Sequence, residues 1–386
     1  NVKILNVPSP DEWINGEFSS KQIKPIRIED LLGREVIDIS HDGITEEFNN
    51  KVILVTGAAG SIGSELVNQL IEHSPRKIVM LDQAESPLYE LQSKLRTSQA
   101  LSGTETVIAD ISNFERMKNV FKTFNPDIIF HAAAYKHVPL MEDNPSEALQ
   151  TNIHGTKNLV DLSIDFNVKK FIMISTDKAV NPTNVMGCSK RIAEIYAQSS
   201  NAFGRTKFIT TRFGNVLGSN GSVIPLFKRQ IEEGGPLTVT HKDITRSFMT
   251  IPEACQLVLE AGIMGNGGEI FVFDMGESVK IYDLALKMVK LSGLKLDEDI
   301  SIKITGLRPG EKLYEELLTT EENTLATHHP QILIAKVKEY DYNEITSKIE
   351  TLTELYDGQN NNAIVQHMKA IVPEYISNNS VFEKLD

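Results

Sequence analysis

The chain has 386 residues, of which 41% are hydrophobic and 24% are charged, a composition typical of one large or two coupled globular domains. Its 39 Lys and Arg against 52 Asp and Glu give a net charge of −13, which argues against nonspecific nucleic-acid binding. The two cysteines, Cys188 and Cys255, form neither a disulfide framework nor a metal-ligand pattern. We therefore predict that the protein has no metal site and works in a reducing, cytoplasmic compartment.

The first fifty residues give few structural signals. Residues 1–50 are predicted to be either a linker or an arm used in assembly, and the pattern does not choose between them. Apolar runs stay short of the roughly 18 residues needed to cross a bilayer, and no signal peptide opens the chain. The first residue is Asn1 rather than Met, so the chain reads as a processed or excised product and an upstream membrane anchor is left open.

From Lys51 onwards, short apolar runs alternate with segments of helical spacing. A continuous run such as 52–55 is typical of a parallel strand buried on both faces. The strands are predicted at 52–55, 77–81, 106–109, 127–130, 170–174 and 207–211. This alternation predicts an α/β fold, a Rossmann-like doubly wound parallel sheet with right-handed crossovers.

Past the sixth strand the regular alternation stops, and glycine and proline become more frequent. We therefore predict a dinucleotide-binding Rossmann domain at 51–215 and a smaller C-terminal substrate-binding lobe at 216–340. The lobe is expected to return to the sheet near 250–275. Residues 341–386 are predicted to be closing helices.

A glycine-rich turn follows the first strand, with Gly57, Gly60 and Gly63 in GxxGxxG spacing and with Ser61 and Ile62 among them. Glycines permit the tight turn, the close approach of a pyrophosphate to the backbone, and the packing of helix on strand. The N-terminus of the following helix offers free N–H groups to phosphates. Many such turns have only a structural role, so the residues around this turn must decide whether it binds a dinucleotide.

Residues at the ends of the next strands supply that context. Asp82 ends the second strand, where its carboxylate can accept from both ribose hydroxyls and would repel a 2′-phosphate. Asp110 and Ile111 follow the third strand, near the adenine in this interpretation. Ala132 and Ala133 follow the fourth strand and offer small side chains beneath a flat cofactor. Together these strand ends predict an NAD site, with NADP disfavoured.

Three chemically active side chains follow the fifth strand. The stretch STDKAVNPTNVMGCSK places Asp177 beside Lys178, and Lys190 follows on a predicted helix. An acid and two amines at the end of a buried strand suggest proton-transfer chemistry. The competing interpretation is a structural ion pair between Asp177 and Lys178, which would be preferred if the glycine turn were absent.

Seven stretches of the chain together resemble one enzyme family. They are VTGAAGSIGSEL (55–66), HAAAYKHVPLMEDNP (131–145), TNIHGT (151–156), STDKAVNPTNVMGCSK (175–190), RFGNVLGSNGSVIP (212–225), ITRSFMT (244–250) and GLRPGEKLYEEL (306–317). They are similar to the extended short-chain dehydrogenase/reductases and, within these, to the UDP-N-acetylglucosamine 4,6-dehydratases of bacterial surface-polysaccharide and glycan biosynthesis. The resemblance spans about Arg27 to Leu318 and looks like the cytoplasmic catalytic part of larger members anchored in the inner membrane.

The resemblance implies an NAD-dependent hydro-lyase. Such an enzyme moves a hydride from C4 to C6 of UDP-N-acetylglucosamine, releases water and leaves a UDP-4-keto-6-deoxy-N-acetylhexosamine. Likeness to the large membrane-anchored type favours retention of configuration at C5.

One residue departs from the general pattern of the superfamily. Met186 stands where the superfamily has the tyrosine of a YxxxK pair, whereas Lys190 keeps the lysine position, which is implied to hold the nicotinamide ribose. A thioether cannot act as an acid or a base. In the dehydratase subgroup, methionine at this position accompanies a Thr-Asp-Lys triplet, which residues 176–178 match.

The resemblance assigns roles to that triplet. Thr176 would contact the C4 oxygen in place of the tyrosine, and Asp177 would protonate the departing C6 hydroxyl. Lys178 would remove the C5 proton, a role that requires a lowered pKa. Lys136, in the loop after the fourth strand, is a further candidate near the sugar.

The resemblance also implies a substrate site in the C-terminal lobe. Arg246 and Arg308 lie in motifs that resemble a diphosphate clamp, and the planar guanidinium suits that contact. Asn215 would hydrogen-bond the diphosphate or the sugar, and Glu311 would accept from the uridine ribose. Surface salt bridges are the competing interpretation for the arginines.

Two other functions are left open. A UDP-sugar 4-epimerase would share the cofactor and the first hydride transfer, and a non-catalytic NAD-binding regulatory protein would explain the lost tyrosine. A homo-oligomer is also expected, because members of the superfamily commonly dimerise through two helices of each subunit. Helices around 144–165 and 184–200 are the candidates for that contact.

Overall fold

The computed structural model describes residues 5–6, 24–25, 43–97, 103–318 and 323–386. Its centre is a nine-stranded sheet. In chain order the strands are β1 (Val52–Thr56), β2 (Lys77–Asp82), β3 (Thr104–Ile108), β4 (Ile128–His131), β5 (Lys170–Ile174), β6 (Lys207–Arg212), β7 (Ile270–Phe273), β8 (Asn323–Ala326) and β9 (Ile332–Lys336). The order across the sheet is β8-β9-β7-β6-β5-β4-β1-β2-β3.

Strands β1 to β7 run parallel, which confirms the Rossmann-like fold predicted from the sequence. The predicted return to the sheet is β7, which pairs with β6. At that edge the structure adds the antiparallel strands β9 and β8, which the sequence did not predict. The strand order reverses where β1 lies between β2 and β4, and ligands of doubly wound sheets bind outside the carboxyl ends of the strands at such a point.

Helices cover both faces of the sheet. They are α1 (Ile44–Phe48), α2 (Ser61–Ile71), α3 (Glu85–Thr97), α4 (Phe114–Phe124), α5 (Val138–Asp143), α6 (Pro145–Glu147), α7 (Thr156–Asp165), α8 (Val185–Ser199), α9 (Val223–Glu232), α10 (Ile251–Met264), α11 (Ile281–Leu291), α12 (Tyr342–Thr353) and α13 (Asn361–Ile371), with a π-helical stretch at Ala148–Gly155 and short 3₁₀ turns at Asp177–Ala179, Ser200–Phe203 and Glu383–Leu385.

The two faces of the sheet have separate apolar cores. Ile53 and Val55 of β1 belong to the core formed with α1, α2, α3 and α10, whereas Leu54 belongs to the core formed with α4, α7, α8, α12 and α13. Every residue of β1 is buried, because alternate side chains enter opposite cores. This two-sided burial explains the continuous apolar runs in the sequence.

A third apolar core lies beyond β6, where α9 and α11 pack together with the short strand Leu237–Val239. The other short strands are Asn215–Val216, Thr245–Arg246, Phe248–Met249, Val279–Lys280 and Ile302–Ile304. This separate core lies within the lobe predicted at 216–340, although β7, β8 and β9 of the same range join the main sheet. The exact domain boundaries stay a prediction.

The C-terminal helices α12 and α13 lie in the range where the sequence predicts closing helices, and both pack on α8. Fourteen of the 15 residues of α8 are buried. The helix at 184–200 therefore does not offer the face that the sequence analysis assigned to a second subunit, because the chain's own C-terminal helices cover it. A homo-oligomer stays a prediction, with the helices around 144–165 as the remaining candidates for its contact.

Most of the predicted arm or linker at residues 1–50 lies outside the described residues. Within it the structure describes an antiparallel pairing of Leu5–Asn6 with Lys24–Pro25, and helix α1. Among the described residues, no helix has the length and apolar character that crossing a bilayer requires.

Candidate active site

A first cavity, which we call the dinucleotide cavity, opens beside the glycine turn at the carboxyl ends of β1 to β4. Gly57 has a φ of +68°, and a Cβ there would lie 2.5 Å from the backbone nitrogen of Ala133. A Cβ on Gly63 would lie 2.0 Å from the carbonyl oxygen of Gly57. Both positions therefore require glycine, as expected where backbone must approach a pyrophosphate and helix α2 must pack close to β1.

Asp82 is fixed at the end of β2 by backbone donors. Its Oδ2 accepts a hydrogen bond from the N–H of Ala59 at 3.0 Å, and its Oδ1 accepts from the N–H of Ala84 at 2.9 Å. The carboxylate lines the dinucleotide cavity beside the glycine turn. It therefore occupies the position in which a Rossmann carboxylate meets a ribose.

Most of the predicted cofactor residues line this cavity. They are Gly57, Gly60, Asp82, Asp110, Ile111, Ala132 and Ala133. Ser61, Ile62 and Gly63 form the first turn of α2 and do not line it. The sequence analysis did not identify Gln83, Tyr135 and Thr151, which also line it. Gln83 donates to the Tyr135 hydroxyl at 3.1 Å, so these two side chains join the segments after β2 and β4.

A second cavity lies at the carboxyl ends of β5 and β6, against the lobe. Lys178, Asn215, Arg246, Arg308 and Glu311 all line it, so the structure brings these five predicted residues together. The remaining lining residues are Val138, Pro139, Asn184, Pro309, Gly310 and Glu315. The segment after β4 contributes to both cavities, with Ala132 to Tyr135 in the first and Val138 in the second.

The acid and the amine after β5 are in contact. Thr176 begins the 3₁₀ turn that carries them, and its hydroxyl donates to Asp177 Oδ1 at 2.8 Å. Lys178 Nζ donates to the same oxygen at 3.0 Å and to Asn215 Oδ1 at 3.4 Å. Asp177 is buried, and Lys178 reaches from it into the second cavity.

The pKa of Lys178 is shifted in the direction opposite to the one that the sequence analysis expects. Burial lowers the pKa of Lys178, but the carboxylates of Asp177 and Glu315 outweigh it, and the pKa is raised. The base role proposed from the resemblance requires the opposite, so in this arrangement Lys178 is an ammonium ion. A neutral amine forms there only if its proton passes to a neighbour.

Helix α8 begins tightly against this turn. A Cβ on Gly187 would lie 2.1 Å from the carbonyl oxygen of Lys178, so only glycine permits the contact. Asn184 caps the helix by accepting from the N–H of Gly187 at 2.7 Å, and its Nδ2 donates to Gly310 O at 2.9 Å. Met186 is 3% exposed and packs in the apolar core. Its side chain is an apolar packing group rather than a lining group of either cavity.

The other two predicted lysines, Lys190 and Lys136, are not among the residues that line either cavity. Lys190 is buried on α8, and burial lowers its pKa to about 8. His131 is buried between the Thr56 and Thr156 hydroxyls at the end of β4, and burial together with the Lys190 charge lowers its pKa. Lys136 is exposed on the segment between the two cavities, and desolvation lowers its pKa.

The two arginines of the predicted clamp differ in how many of their N–H groups donate to other groups of the protein. Nη1 of Arg246 donates to the carbonyl oxygens of Thr245 and Leu313, and Nη2 donates to that of Lys312. Arg308 is 58% exposed, and its Nη2 donates to Glu311 Oε1 at 3.1 Å. Arg308 is therefore freer to grip an anion, whereas Arg246 mainly organises the segment at 311–315.

Glu315 is a cavity residue that the sequence analysis missed. Its side chain is 8% exposed, and Oε1 lies 3.7 Å from Lys178 Nζ and 3.6 Å from Arg246 Nη2. It occurs in the quoted stretch GLRPGEKLYEEL, but that stretch has three glutamates and nothing local separates Glu315 from Glu316, which is half exposed.

A known protein family matches the part of the chain that contains these sites. A family described as polysaccharide biosynthesis protein matches residues 53–337, which contain both cavities. The chain belongs to this family. Helices α12 and α13 lie beyond the matched range.

Two curated proteins illustrate what this chain is similar to. It is 50% identical over 353 residues to the capsular polysaccharide biosynthesis protein CapD of Staphylococcus aureus, covering 91% of this chain and 59% of CapD. It is 37% identical over 283 residues to a UDP-N-acetylglucosamine 4,6-dehydratase (inverting) of Campylobacter jejuni, covering 72% of this chain and 80% of that protein. The chain thus spans less than two thirds of the CapD length.

Solved structures share the fold. Pen from Bacillus thuringiensis superposes with a TM-score of 0.70 at 33% identity, over 79% of this chain and 98% of that chain. Crystal structures of a UDP-glucose 4-epimerase from Thermus thermophilus and of DesIV, a dTDP-glucose 4,6-dehydratase from Streptomyces venezuelae, both with NAD, have TM-scores of 0.60 at 20% and 21% identity. These last two show the shared fold alone.

Alanine in place of Gly57 is expected to weaken NAD binding at least about tenfold. The new methyl group strains a left-handed residue, at roughly 1–2 kcal/mol, and also displaces the backbone at Ala133. Gly293→Ala is the matched control, because Gly293 has a φ of +73° and open space around it. Calorimetric titration with NAD should show a loss for Gly57→Ala alone; equal affinity in both proteins would contradict a cofactor role for this turn.

Proposed function

We propose that the chain is the catalytic part of an NAD-dependent UDP-N-acetylglucosamine 4,6-dehydratase. The observation that carries the proposal is the contact between buried Asp177 and Lys178, whose amine reaches into a cavity next to the dinucleotide cavity. An epimerase needs no acid for a leaving hydroxyl at C6, so this pair would have no role in it. The named relative from Campylobacter jejuni supports the same reaction class.

The residues of the dinucleotide cavity fit NAD. Gly57 and Gly63 form the tight turn that a pyrophosphate site needs. Asp82, which backbone donors hold in place, is proposed to accept from the ribose hydroxyls and would repel a 2′-phosphate. Lys190, buried on α8 near the end of β4, is assigned to the nicotinamide ribose. When bound, NAD accepts the hydride from C4 and returns it to C6.

The second cavity is assigned to the UDP-sugar. Arg308, exposed and paired only loosely, is proposed to grip the diphosphate, and Glu311 to accept from the uridine ribose. Asn215 lies within hydrogen-bonding distance of the Lys178 amine and is proposed to orient the sugar beside it. Arg246 is proposed to support the same diphosphate site indirectly, because its hydrogen bonds fix the segment at 311–315.

The Asp177–Lys178 contact supplies both proton-transfer groups at once. Transfer of one proton from the Lys178 ammonium to the Asp177 carboxylate leaves a neutral amine and a neutral acid. Once C4 is a ketone, the amine removes the proton from C5, and the acid protonates the C6 hydroxyl, which leaves as water. Thr176 is assigned to the C4 oxygen, and the C4 hydroxyl proton is proposed to pass through the Thr176 hydroxyl to solvent as the hydride leaves C4. Lys178, whose ammonium protons exchange with solvent, returns a proton to C5 as the hydride reaches C6, and one proton from solvent restores the Lys178–Asp177 ion pair.

We further propose retention of configuration at C5. The chain resembles the longer CapD type, of which it spans 59%, more strongly than it resembles the inverting enzyme of Campylobacter jejuni. A cytoplasmic catalytic domain attached to a membrane segment elsewhere in a longer protein is the setting that this resemblance supports.

Mass spectrometry of the reaction tests the proposal. The protein with UDP-N-acetylglucosamine and no added reductant should yield a UDP-sugar lighter than the substrate by one water. Formation of UDP-N-acetylgalactosamine, which has the mass of the substrate and is separated from it by chromatography, would instead establish an epimerase. Unchanged substrate with NAD still bound would favour the non-catalytic protein.

A further inference from the structure

Glu315 joins two functional groups that come from different parts of the chain. Its Oε1 lies between the Lys178 amine, on the turn after β5, and the Arg246 guanidinium, on the short strand at 245–246. The side chain is 8% exposed and lines the second cavity. A buried carboxylate at this place adds a second negative charge beside Lys178.

Packing alone does not account for this carboxylate. Oε2 of Glu315 is buried and has no hydrogen-bond partner among the described residues, an arrangement that is unfavourable for stability. Within the described residues this oxygen is therefore an unused acceptor, and its burial lowers the stability of the fold rather than adding to it.

The segment that carries Glu315 is already held by other contacts. Lys312 Nζ donates to Val180 O at 3.1 Å, and Arg246 Nη2 donates to Lys312 O at 2.8 Å. The N–H of Thr245 donates to Leu313 O at 3.2 Å. Because these bonds dock the segment against the Asp177–Lys178 turn, Glu315 is not needed as a tether.

We propose that Glu315 is a positioning residue for the dehydration, which holds the Lys178 ammonium group beside Asp177 and controls when Lys178 becomes a neutral base. This inference rests on the proposed function. Glu315 acts through Lys178 and takes no proton from the sugar. Its position also makes the state of Lys178 sensitive to an anion that neutralises Arg246 or Arg308.

The charges around Lys178 give the direction of the effect. Those that face it are Asp177 on its own turn, Glu315 on the segment at 311–315, and Arg246 on the short strand, with Glu311 and Arg308 farther along the cavity wall. Burial and Arg246 lower the pKa of Lys178, whereas Asp177 and Glu315 raise it. Without the Glu315 charge, Lys178 loses its proton at a lower pH.

The test compares Glu315→Gln with Glu316→Gln. Glu316 is the adjacent carboxylate but is half exposed and pairs with Lys312, so its loss leaves Lys178 unchanged. The falling limb of the pH profile of kcat at high pH, where Lys178 loses to solvent the proton that it would pass to Asp177, should move to lower pH by about one unit in Glu315→Gln, and should stay in place in Glu316→Gln. Glu315→Asp keeps the charge and should leave the limb near that of the wild-type protein.

A second readout needs no turnover. The pH dependence of Lys178 acetylation, followed by mass spectrometry of the folded proteins, reports the titration of that amine directly. It should show the same shift to lower pH in Glu315→Gln, and it applies even if this variant has lost activity. Thermal unfolding of each variant checks that the comparison is made between folded proteins.

The outcomes separate this inference from the proposed function. A wild-type protein that releases no water from UDP-N-acetylglucosamine would refute the dehydratase. An active wild-type protein whose Glu315→Gln variant titrates Lys178 at the same pH as Glu316→Gln would overturn the role of Glu315 and leave the dehydratase standing.

Discussion

Asparagine in place of Asp177 is expected to lower the rate of water loss from UDP-N-acetylglucosamine by about 10²- to 10⁴-fold, the usual contribution of a general acid or base. Asparagine can still accept hydrogen bonds from Thr176 and Lys178 but can neither take the Lys178 proton nor protonate the C6 hydroxyl. Steady-state kinetics with product detection by mass spectrometry measures the effect.

Two controls accompany this variant. NAD binding should stay within a few-fold of the wild-type value, because Asp177 does not line the dinucleotide cavity. Glu316→Gln, which removes an exposed carboxylate from the neighbouring segment, should retain normal turnover. An Asp177→Asn protein with near wild-type turnover would show that the contact with Lys178 is a structural ion pair.

Replacement of Glu194 by alanine is expected to destabilise the protein by about 3–5 kcal/mol. Glu194 and Arg212 are both fully buried, and Arg212 donates to the two carboxylate oxygens at 2.8 and 2.7 Å. Arg191 adds a third contact at 3.1 Å. Removing the carboxylate takes two charge-assisted hydrogen bonds away from the buried Arg212 guanidinium, between α8 and β6. Urea unfolding measures the change.

The same carboxylate predicts a pH dependence. Burial raises the pKa of Glu194, but the Arg212 and Arg191 cations outweigh it and bring the pKa to about 2, below the ordinary value of 4.5. The stability that this charge contributes is therefore complete above pH 4.5 and is lost as the pH falls towards 2. Glu194→Ala should lack this part of the acid sensitivity.

An exposed ion pair is the matched control for Glu194. Glu344 and Lys348 lie at i and i+4 on α12, and both are largely exposed. Glu344→Ala should cost about 0.3–0.5 kcal/mol. Equal losses from Glu194→Ala and Glu344→Ala would contradict the account of the buried network.

The parts of the fold that local patterns encode could be predicted from the sequence. Strands β1, β2 and β4 to β7 are short apolar runs because both of their faces are buried, and two-sided burial leaves a clear signal. The glycine turn is similarly visible, since Gly57 and Gly63 occupy places where a Cβ would collide with backbone. The structure brings Lys178, Asn215 and Arg308 into one cavity, as the motifs predict.

Features created by contacts between distant segments could not be predicted. Glu315 differs from Glu316 only in facing Lys178 and Arg246, and that proximity depends on how the lobe folds back on the sheet. Helices α12 and α13 cover α8, and this too is a long-range contact. The sequence of α8 alone is equally compatible with a subunit interface. The raised pKa of Lys178 follows from the neighbouring Asp177 together with the carboxylate of Glu315, which the sequence analysis missed.

The most direct test of the dehydratase is NMR of the reaction in deuterated water. The protein with UDP-N-acetylglucosamine, and without added reductant, should form a 4-keto-6-deoxy sugar that carries deuterium at C5, because the C5 proton passes through a side chain before it is replaced. The coupling pattern of the product then reports retention or inversion at C5. A product with its C6 hydroxyl intact, or no product from an NAD-bound protein, would contradict the account.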